Sequence, residues 1–433
     1  MSPSPRAALA LGVIAIATAF LGVGFGVLAA LVLIGATVAD ALAVRSTPEV
    51  RRSVAPILAR GVRSPLRVAT DLQSGPGTVR VRQPVAPDLG LAPREGTGGL
   101  EAELVPLRRG RQALPPVAAR RDGPLGLGRR HFKATTEWAE VLVYPDLPAA
   151  RRLALAVRAG RFRDAGRLTR GPLGLGTDFE SIREYAPDDD VRQVNWRATQ
   201  RMQRPMSNQY RVEQDREVML LLDSGRLMEA PLQPDPGAPG RNGPEVGSGP
   251  QTRLDAAVDA AVSVALVADA VGDRCGTVAF AAGLRRRIAP RRAGGDAVVR
   301  ALFDLEPEPA EPDYELAFRT VAGAKRSLIV IFTDLLEESA ARPLIDAVPV
   351  LARRHAVVIA TATDLDLEAV LRADPRVPRD VYAAAIALEV LAARRRTVHR
   401  LEATGARVVE ARAGALGAAC VRAYLGAKAA ARL

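Results

Sequence analysis

From Ala7 to Ala39 the chain runs for 33 residues without a charged side chain. That is the strongest constraint in the sequence, because a bilayer core takes about 20 apolar residues per helix. One straight span would overshoot the core, whereas two short spans meeting at Gly22-Val-Gly24-Phe-Gly26 would fit it tightly. Glycine tolerates the backbone angles that a reversal demands, so the favoured reading of residues 7–44 is a transmembrane hairpin. Two alternatives stay open. Gly22 and Gly26 could form a small-residue contact face on a single tilted helix, or Ala41-Leu-Ala43 could end a cleaved signal peptide, although the apolar core far exceeds the usual length.

The charges around this run set an expected orientation. Arg45, Arg51, Arg52, Arg60, Arg63 and Arg67 follow it closely, and Arg6 alone precedes it. Positive flanks stay in the cytoplasm, so everything after Arg45 is expected on the cytoplasmic side of a cell membrane. The overall charge of +12 is largely this local effect: from Arg45 to Lys133 there are 17 basic and 7 acidic residues, a net of +10. Such a flank suits anionic lipid headgroups. With aromatic residues at only 4%, the composition does not favour a nucleic-acid role. Two cysteines, Cys275 and Cys420, exclude a disulfide scaffold and spell no zinc site.

The soluble part divides by texture. Between 47 and 147, short β-type runs such as Thr78-Val-Arg-Val81 and Ala139-Glu-Val-Leu-Val-Tyr144 alternate with proline and glycine, the pattern of a small β-sandwich, with 85–98 read as loop. Residues 150–215 read as a mostly polar connector. From 216 to 433 strands and helices alternate. Glu217-Val-Met-Leu-Leu-Leu-Asp223 and Ser327-Leu-Ile-Val-Ile-Phe-Thr-Asp334 are continuous apolar runs ending in an acid, as expected of strands buried on both faces. The expected class is therefore α/β, a parallel sheet with helices on both faces. A Gly/Pro-rich insertion at 230–251 reads as a flexible loop.

Catalysis finds little support. His131, His355 and His399 are far apart in sequence, and no lysine follows a glycine, which removes a P-loop. Gly174-Leu-Gly176 lacks the third glycine and the strand context of a dinucleotide site. No cofactor and no small-molecule substrate are indicated. Ligands of open α/β sheets bind at the carboxyl ends of strands, which directs attention to Asp223 and Asp334 as weak candidate ligands for Mg²⁺. Asp223-Ser-Gly-Arg-Leu227 resembles the first metal-site motif of von Willebrand factor A domains, Asp-x-Ser-x-Ser, and Thr333-Asp334 resembles their later Thr-Asp pair. Gly225 and Leu227 stand where both serines belong, and Asp313 falls near the position of the missing threonine. The alternative reading is that both aspartates cap loops and helix ends.

The densest stretch is Gly171–Thr199. Phe179, Tyr185 and Trp196 alternate with charges of both signs, and Asp188, Asp189 and Asp190 lie within a few residues of Arg183, Arg192 and Arg197. Such a segment is either a packed connector or a docking surface, since Trp, Tyr and Arg dominate binding hot spots. Asp178-Phe179, Ile182-Arg183-Glu184-Tyr185, Asp189-Asp190, Arg192 and Val194-Asn195-Trp196-Arg197-Ala198-Thr199 resemble the hallmark of the bacterial domain-of-unknown-function family 58. Asp188 departs from that family's usual glycine, and Asp223, Gly225, Arg226 and Met228 match its Asp-x-Gly-Arg-x-Met strand end. The resemblance implies a membrane hairpin, a β-rich region and a von Willebrand A-like domain. It also implies a partner, because such proteins are often encoded beside MoxR-type AAA+ ATPases. The resulting expectation is a non-enzymatic membrane adaptor or scaffold for complex assembly or envelope maintenance. Asp178, Arg183, Tyr185, Asp189, Asp190, Arg192, Trp196 and Arg197 would contact the partner or lock the interdomain angle. The alternative is a metal-dependent ligand-binding module at Asp223 and Asp334.

Overall fold

The computed structural model describes residues 2–71, 77–160, 163–164, 167–168, 173–186, 189, 191–211, 216–232, 251–323, 326–335 and 338–430. The chain divides into two compact units, one running to Val143 and the other from Tyr144 onward. Together they give the mixed α/β class expected of the sequence, with an apolar N-terminal helix pair in the first unit and several sheets.

In the first unit the uncharged run forms two helices, α1 (Pro5–Leu21) and α2 (Val23–Ala43). The break is Gly22, whose φ of 86° favours glycine. Gly26 lies against α1, since a Cβ there would come 2.2 Å from Thr18 Oγ1. The two glycine readings thus meet in one device, with Gly22 reversing the chain and Gly26 letting the helices approach. α2 has 21 residues and is long and apolar enough to cross a membrane, while α1 is apolar but shorter.

The open end of this helix pair is tied to one turn. Asp40 is 2% exposed and its carboxylate accepts the N–H groups of Leu125, Leu127 and Gly128 at 2.8–2.9 Å. At the start of α1, Ser4 donates its N–H to Leu127 O at 2.8 Å and its hydroxyl to Gly126 O. A carboxylate that saturates three backbone donors fixes the 123–128 turn relative to both helices.

Among the described residues the rest of this unit is three sheets of five, four and three strands. Leu66, Val79, Leu89, Leu104, Leu114 and Val141, drawn from all three sheets, are buried in one cluster. Residues 85–98 are not loop. Leu89–Ala92 and Glu95–Thr97 are strands, and Leu89 and Leu91 are core residues. Prolines at 84, 87 and 93 hide the short alternation from a pattern reading.

The second unit opens with α3 (Leu147–Arg158), capped by Asp146, which accepts Ala149 N–H at 3.0 Å. Leu147, Leu153 and Val157 pack on the core of this unit, so the connector begins as part of the α/β body. Next come β1 (Leu173–Glu184), α4 (Trp196–Met202) and β2 (Met206–Arg211), with β1 and β2 paired antiparallel. The main sheet has six strands: β3 (Glu217–Asp223), β4 (Arg274–Phe280), β5 (Leu284–Arg291), β6 (Ser327–Phe332), β7 (Ala356–Ala362) and β8 (Arg407–Ala411). Their spatial order is β5-β4-β3-β6-β7-β8, parallel throughout except for β5 at the edge. The β5 edge was not expected. It carries Arg285, Arg286 and Arg287, and charged side chains are what an exposed edge strand presents.

Alternation along β3 assigns the two faces. Val218, Leu220 and Leu222 join a core made with α5 (Arg253–Ala270), and α11 (Ala413–Ala429) also supplies Leu416, Cys420 and Tyr424 to it. Met219 and Leu221 face the opposite core, filled by α7 (Tyr314–Ala322) and α8 (Glu338–Ala352). The remaining helices are α6 (Gly295–Leu302), α9 (Leu365–Arg372) and α10 (Pro378–Ala403). Cys275 and Cys420 are buried free thiols, and burial pushes Cys420 up to about 12. At the base of the sheet a buried ion pair joins Lys428 Nζ to Asp273 Oδ2 at 2.6 Å. Pro231–Leu232 pairs with Gln251–Thr252, while residues 233–250 of the expected flexible insertion lie outside the described residues.

The three donors on Asp40 give a direct test. Asp40→Ala leaves them buried without an acceptor and should lower stability by about 2 kcal/mol, read as a fall in the unfolding midpoint of detergent-solubilised protein.

Candidate functional site

Two groups of predicted residues were expected to carry function, and they differ in what the fold does with them. β3 and β6 are neighbours, so Asp223 and Thr333-Asp334 arrive together at the carboxyl end of the sheet. Asp223 Oδ1 accepts Gly225 N–H at 2.7 Å. Its Oδ2 accepts the Thr333 hydroxyl at 2.8 Å and the Tyr314 hydroxyl at 3.2 Å. Burial raises the Asp223 carboxyl above the usual carboxylate range, opposed by these bonds, and the Asp334 charge adds to the rise. Burial also raises Tyr314 well above its ordinary value, with the Asp223 charge next in weight.

Asp334 is held differently. Arg253, on the first turn of α5, places Nη1 at 2.9 Å from Asp334 Oδ1 and Nη2 at 2.8 Å from Asp364 Oδ2. The Arg253 and Asp334 side chains are 4% and 2% exposed. A planar guanidinium can bridge two carboxylates in this way, which a point charge does less well. Sequence reading missed Arg253. The available clue was its position: a cation in the first turn opposes the helix dipole, which marks a partner elsewhere in the fold.

The surroundings do not fit a magnesium ion. The Ser224 hydroxyl donates to Phe280 O at 2.9 Å, away from Asp334. Gly225 has no room for a serine, since a Cβ would approach Ala310 O to 2.8 Å. Asp313 caps α7 by accepting Leu316 N–H, and its neighbour Tyr314 supplies the hydroxyl beside Asp223. Among the described residues no group of three or more His, Cys, Asp and Glu side chains is arranged to hold a metal ion. A guanidinium already balances the charge of Asp334, so a hard cation would have to displace it.

The second group lies on the β1–α4–β2 segment. Arg183 and Asp189 form an ion pair. Asp189 also accepts Ala186 N–H at 2.9 Å, and the Tyr185 hydroxyl donates to Asp189 O at 3.1 Å. These three residues lock one tight turn. Asn195 starts α4 by accepting Ala198 N–H at 2.9 Å and donates its amide to Asn208 Oδ1 at 2.8 Å. The next residue, Trp196, is 70% exposed, and Arg197 is exposed beside it. The structure therefore brings Arg183, Tyr185 and Asp189 together and turns Trp196 and Arg197 outward. Asp190, Asp188 and the side chains of Asp178 and Arg192 lie outside the described residues.

Residues 181–230 and 240–376 match the family model described as protein of unknown function DUF58. Over these residues the chain is a DUF58 protein. The matched region takes in the Arg183–Asp189 turn, Trp196 and the Asp223–Arg253–Asp334 cluster, so both residue groups are features of the DUF58 part. No curated protein matches the chain. Among solved structures, the sulfur carrier protein SoxY from Chlorobium limicola f thiosulfatophilum is 16% identical with a TM-score of 0.13, over 25% of this chain and 97% of that one. A likeness of that size carries nothing about fold or function.

Two measurements probe the buried cluster. Arg253→Ala strands two carboxylates and should cost about 3–5 kcal/mol in denaturant unfolding, with Arg253→Lys falling between it and the native protein. Protonated Asp223 stabilises the fold fully below about pH 4, and that contribution is lost as pH rises through its raised folded value. Asp223→Asn should therefore gain on the native protein in unfolding temperature from pH 4 to pH 8. A constant gap across that range would show that Asp223 does not titrate there.

Proposed function

We propose that this DUF58 protein is a non-enzymatic adaptor anchored in the cell membrane by the α1–α2 hairpin. Its soluble part lies on the cytoplasmic side and works with a MoxR-type AAA+ ATPase in complex assembly or envelope maintenance. On this reading the exposed arginines of the flank, Arg45, Arg51, Arg63 and Arg67, rest against anionic headgroups, while Arg60 is buried and Arg52 donates to Pro115 O and Glu137 O within the fold. The β-rich unit is a small β-sandwich, and the six-stranded sheet is a von Willebrand A-like domain whose metal position has been taken over by Arg253. The support for an anchor is the apolar length of α2, about 31 Å at 1.5 Å per residue, which matches the hydrocarbon core.

The observation that carries the adaptor reading is Trp196. A packed connector would cover its tryptophan, whereas here the indole follows the capping Asn195 and stands in solvent. Ile182, Val191 and Met202 of the same segment are exposed as well. An ordered base carrying exposed Trp and Arg is the composition of a binding hot spot. The Arg183–Asp189 pair and the Tyr185 bond act here as positioning contacts for that surface.

The test uses full-length protein extracted from membranes, with partners retained in the presence or absence of ATP and Mg²⁺ and identified by mass spectrometry. An AAA+ ATPase should be recovered in a nucleotide-dependent manner. Trp196→Ala should weaken that interaction by about 30-fold, the loss of a hot spot of about 2 kcal/mol. Its unfolding temperature should stay close to the native value, as for other exposed positions. Failure to recover any AAA+ ATPase under conditions that preserve other membrane complexes would overturn the proposal. A large loss of stability in Trp196→Ala would assign the residue to packing.

A further inference from the structure

The amino end of the main sheet, opposite the Asp223 cluster, holds a cavity of about 500 Å³. That lies within the size range of small-molecule sites. Arg326, Arg353, Arg354 and Arg407 line it, and among the described residues no carboxylate does. They come from three separate places: the residue before β6, the two residues after the end of α8, and the start of β8. Among the described residues none of the four makes an ion pair, whereas arginines elsewhere in this unit repeatedly do, as Arg226 with Glu311 and Arg394 with Glu410.

The floor is made of small side chains and bare backbone, including Gly405, Gly426 and Ala427. Arg407 lies over this floor, with Nη1 3.5 Å from where a Cβ on Gly426 would stand. His355 closes one wall, with Nδ1 3.0 Å from Ser327 Oγ. Burial lowers its pKa, with the Arg354 charge acting in the same direction. The imidazole is thus a neutral hydrogen-bonding group at neutral pH.

The simplest structural role for these arginines is to neutralise helix ends, because α8, α10 and α11 all finish at the cavity. The magnitudes do not balance. Three helix C-termini amount to about −1.5 charges, against four guanidiniums. A net positive, partly enclosed space with a floor of small residues has the chemistry of a phosphate site. Guanidiniums bind phosphate oxygens through paired N–H groups, and small residues accept the face of an attached organic group.

We propose that this cavity binds a soluble organic phosphate carrying at least two phosphate groups, with Arg326, Arg353, Arg354 and Arg407 on the phosphates and the glycine-alanine floor under the organic part. The site is separate from the Trp196 surface, and it does not depend on the adaptor reading. Pyrophosphate and ADP serve as probes, titrated by calorimetry into the full-length protein in detergent. Both should bind saturably at one site per chain, ADP the tighter because it adds contact with the floor. Affinity should fall with added salt. Arg354→Ala and Arg407→Ala should each weaken pyrophosphate binding by about tenfold, the loss of one charge-assisted contact, and Ala427→Glu should abolish it by placing a carboxylate in the floor. The unfolding temperature of each variant shows that it is folded. Absence of saturable binding of either probe, or binding unchanged in folded Arg354→Ala and Arg407→Ala, would overturn the proposal. Tighter binding of dihexanoyl phosphatidylglycerol than of pyrophosphate would also overturn it, by assigning the cavity to a lipid headgroup.

Discussion

Burial of β3 on both faces constrains everything else in the α/β unit. From Val218 to Asp223 every residue is buried, with successive side chains serving opposite cores. Such a strand leaves no polar chemistry along its length, so ionisable groups can gather only where strands begin and end. At the carboxyl end the fold collects Asp223, Asp334 and Asp364. Several carboxylates at one buried edge cannot all stay charged without compensation. The structure meets this in two ways. It wraps Asp223 in hydroxyl and N–H donors while burial raises its pKa, and it gives Asp334 and Asp364 one shared guanidinium.

That solution bears on how the family region is used. A metal ion at a strand edge offers open coordination to a partner's carboxylate, whereas Arg253 is consumed by its own chain. On the adaptor reading, contact with a partner is built from another surface. The Arg183–Asp189 turn and α4 form an ordered platform in the same unit, and the ordering comes from short-range bonds that do not involve the sheet edge. Stability at one place and recognition at another is a division that the geometry permits.

How legible this was depended on the range of the interactions. The Glu217–Asp223 and Ser327–Asp334 runs declare themselves because a doubly buried strand has a composition of its own, and the uncharged run to Ala39 does so for the same reason. β5 stayed hidden because strand identity at an edge rests on backbone pairing, and three successive arginines do not register as a strand. The 85–98 strands were lost because two buried leucines among prolines are too few to show a period. Within the motif, the pairing of Asp189 with Arg183 joins residues six apart and could be guessed from spacing. Arg253 and Asp334 are 81 residues apart, and no local pattern connects them. The exposure of Trp196 was equally beyond composition, since the same residue types build packed connectors and docking surfaces.

The two ends of the sheet also differ in how their charges are compensated, and this difference has physical content. At the carboxyl end, acids that helix N-termini would favour are matched by an internal cation. At the amino end, Lys428 and Asp273 form one closed pair, but the four cavity arginines have helix C-termini as their main internal counter-charge. Those carbonyls can neutralise less than half of the cationic charge by the usual estimate of about half a charge per end. Among the described residues, none of the chain's acidic side chains lies in that lining. If helix neutralisation were the whole purpose, one or two arginines would be enough. The surplus is therefore best understood as charge held ready for an anion that the chain does not itself provide.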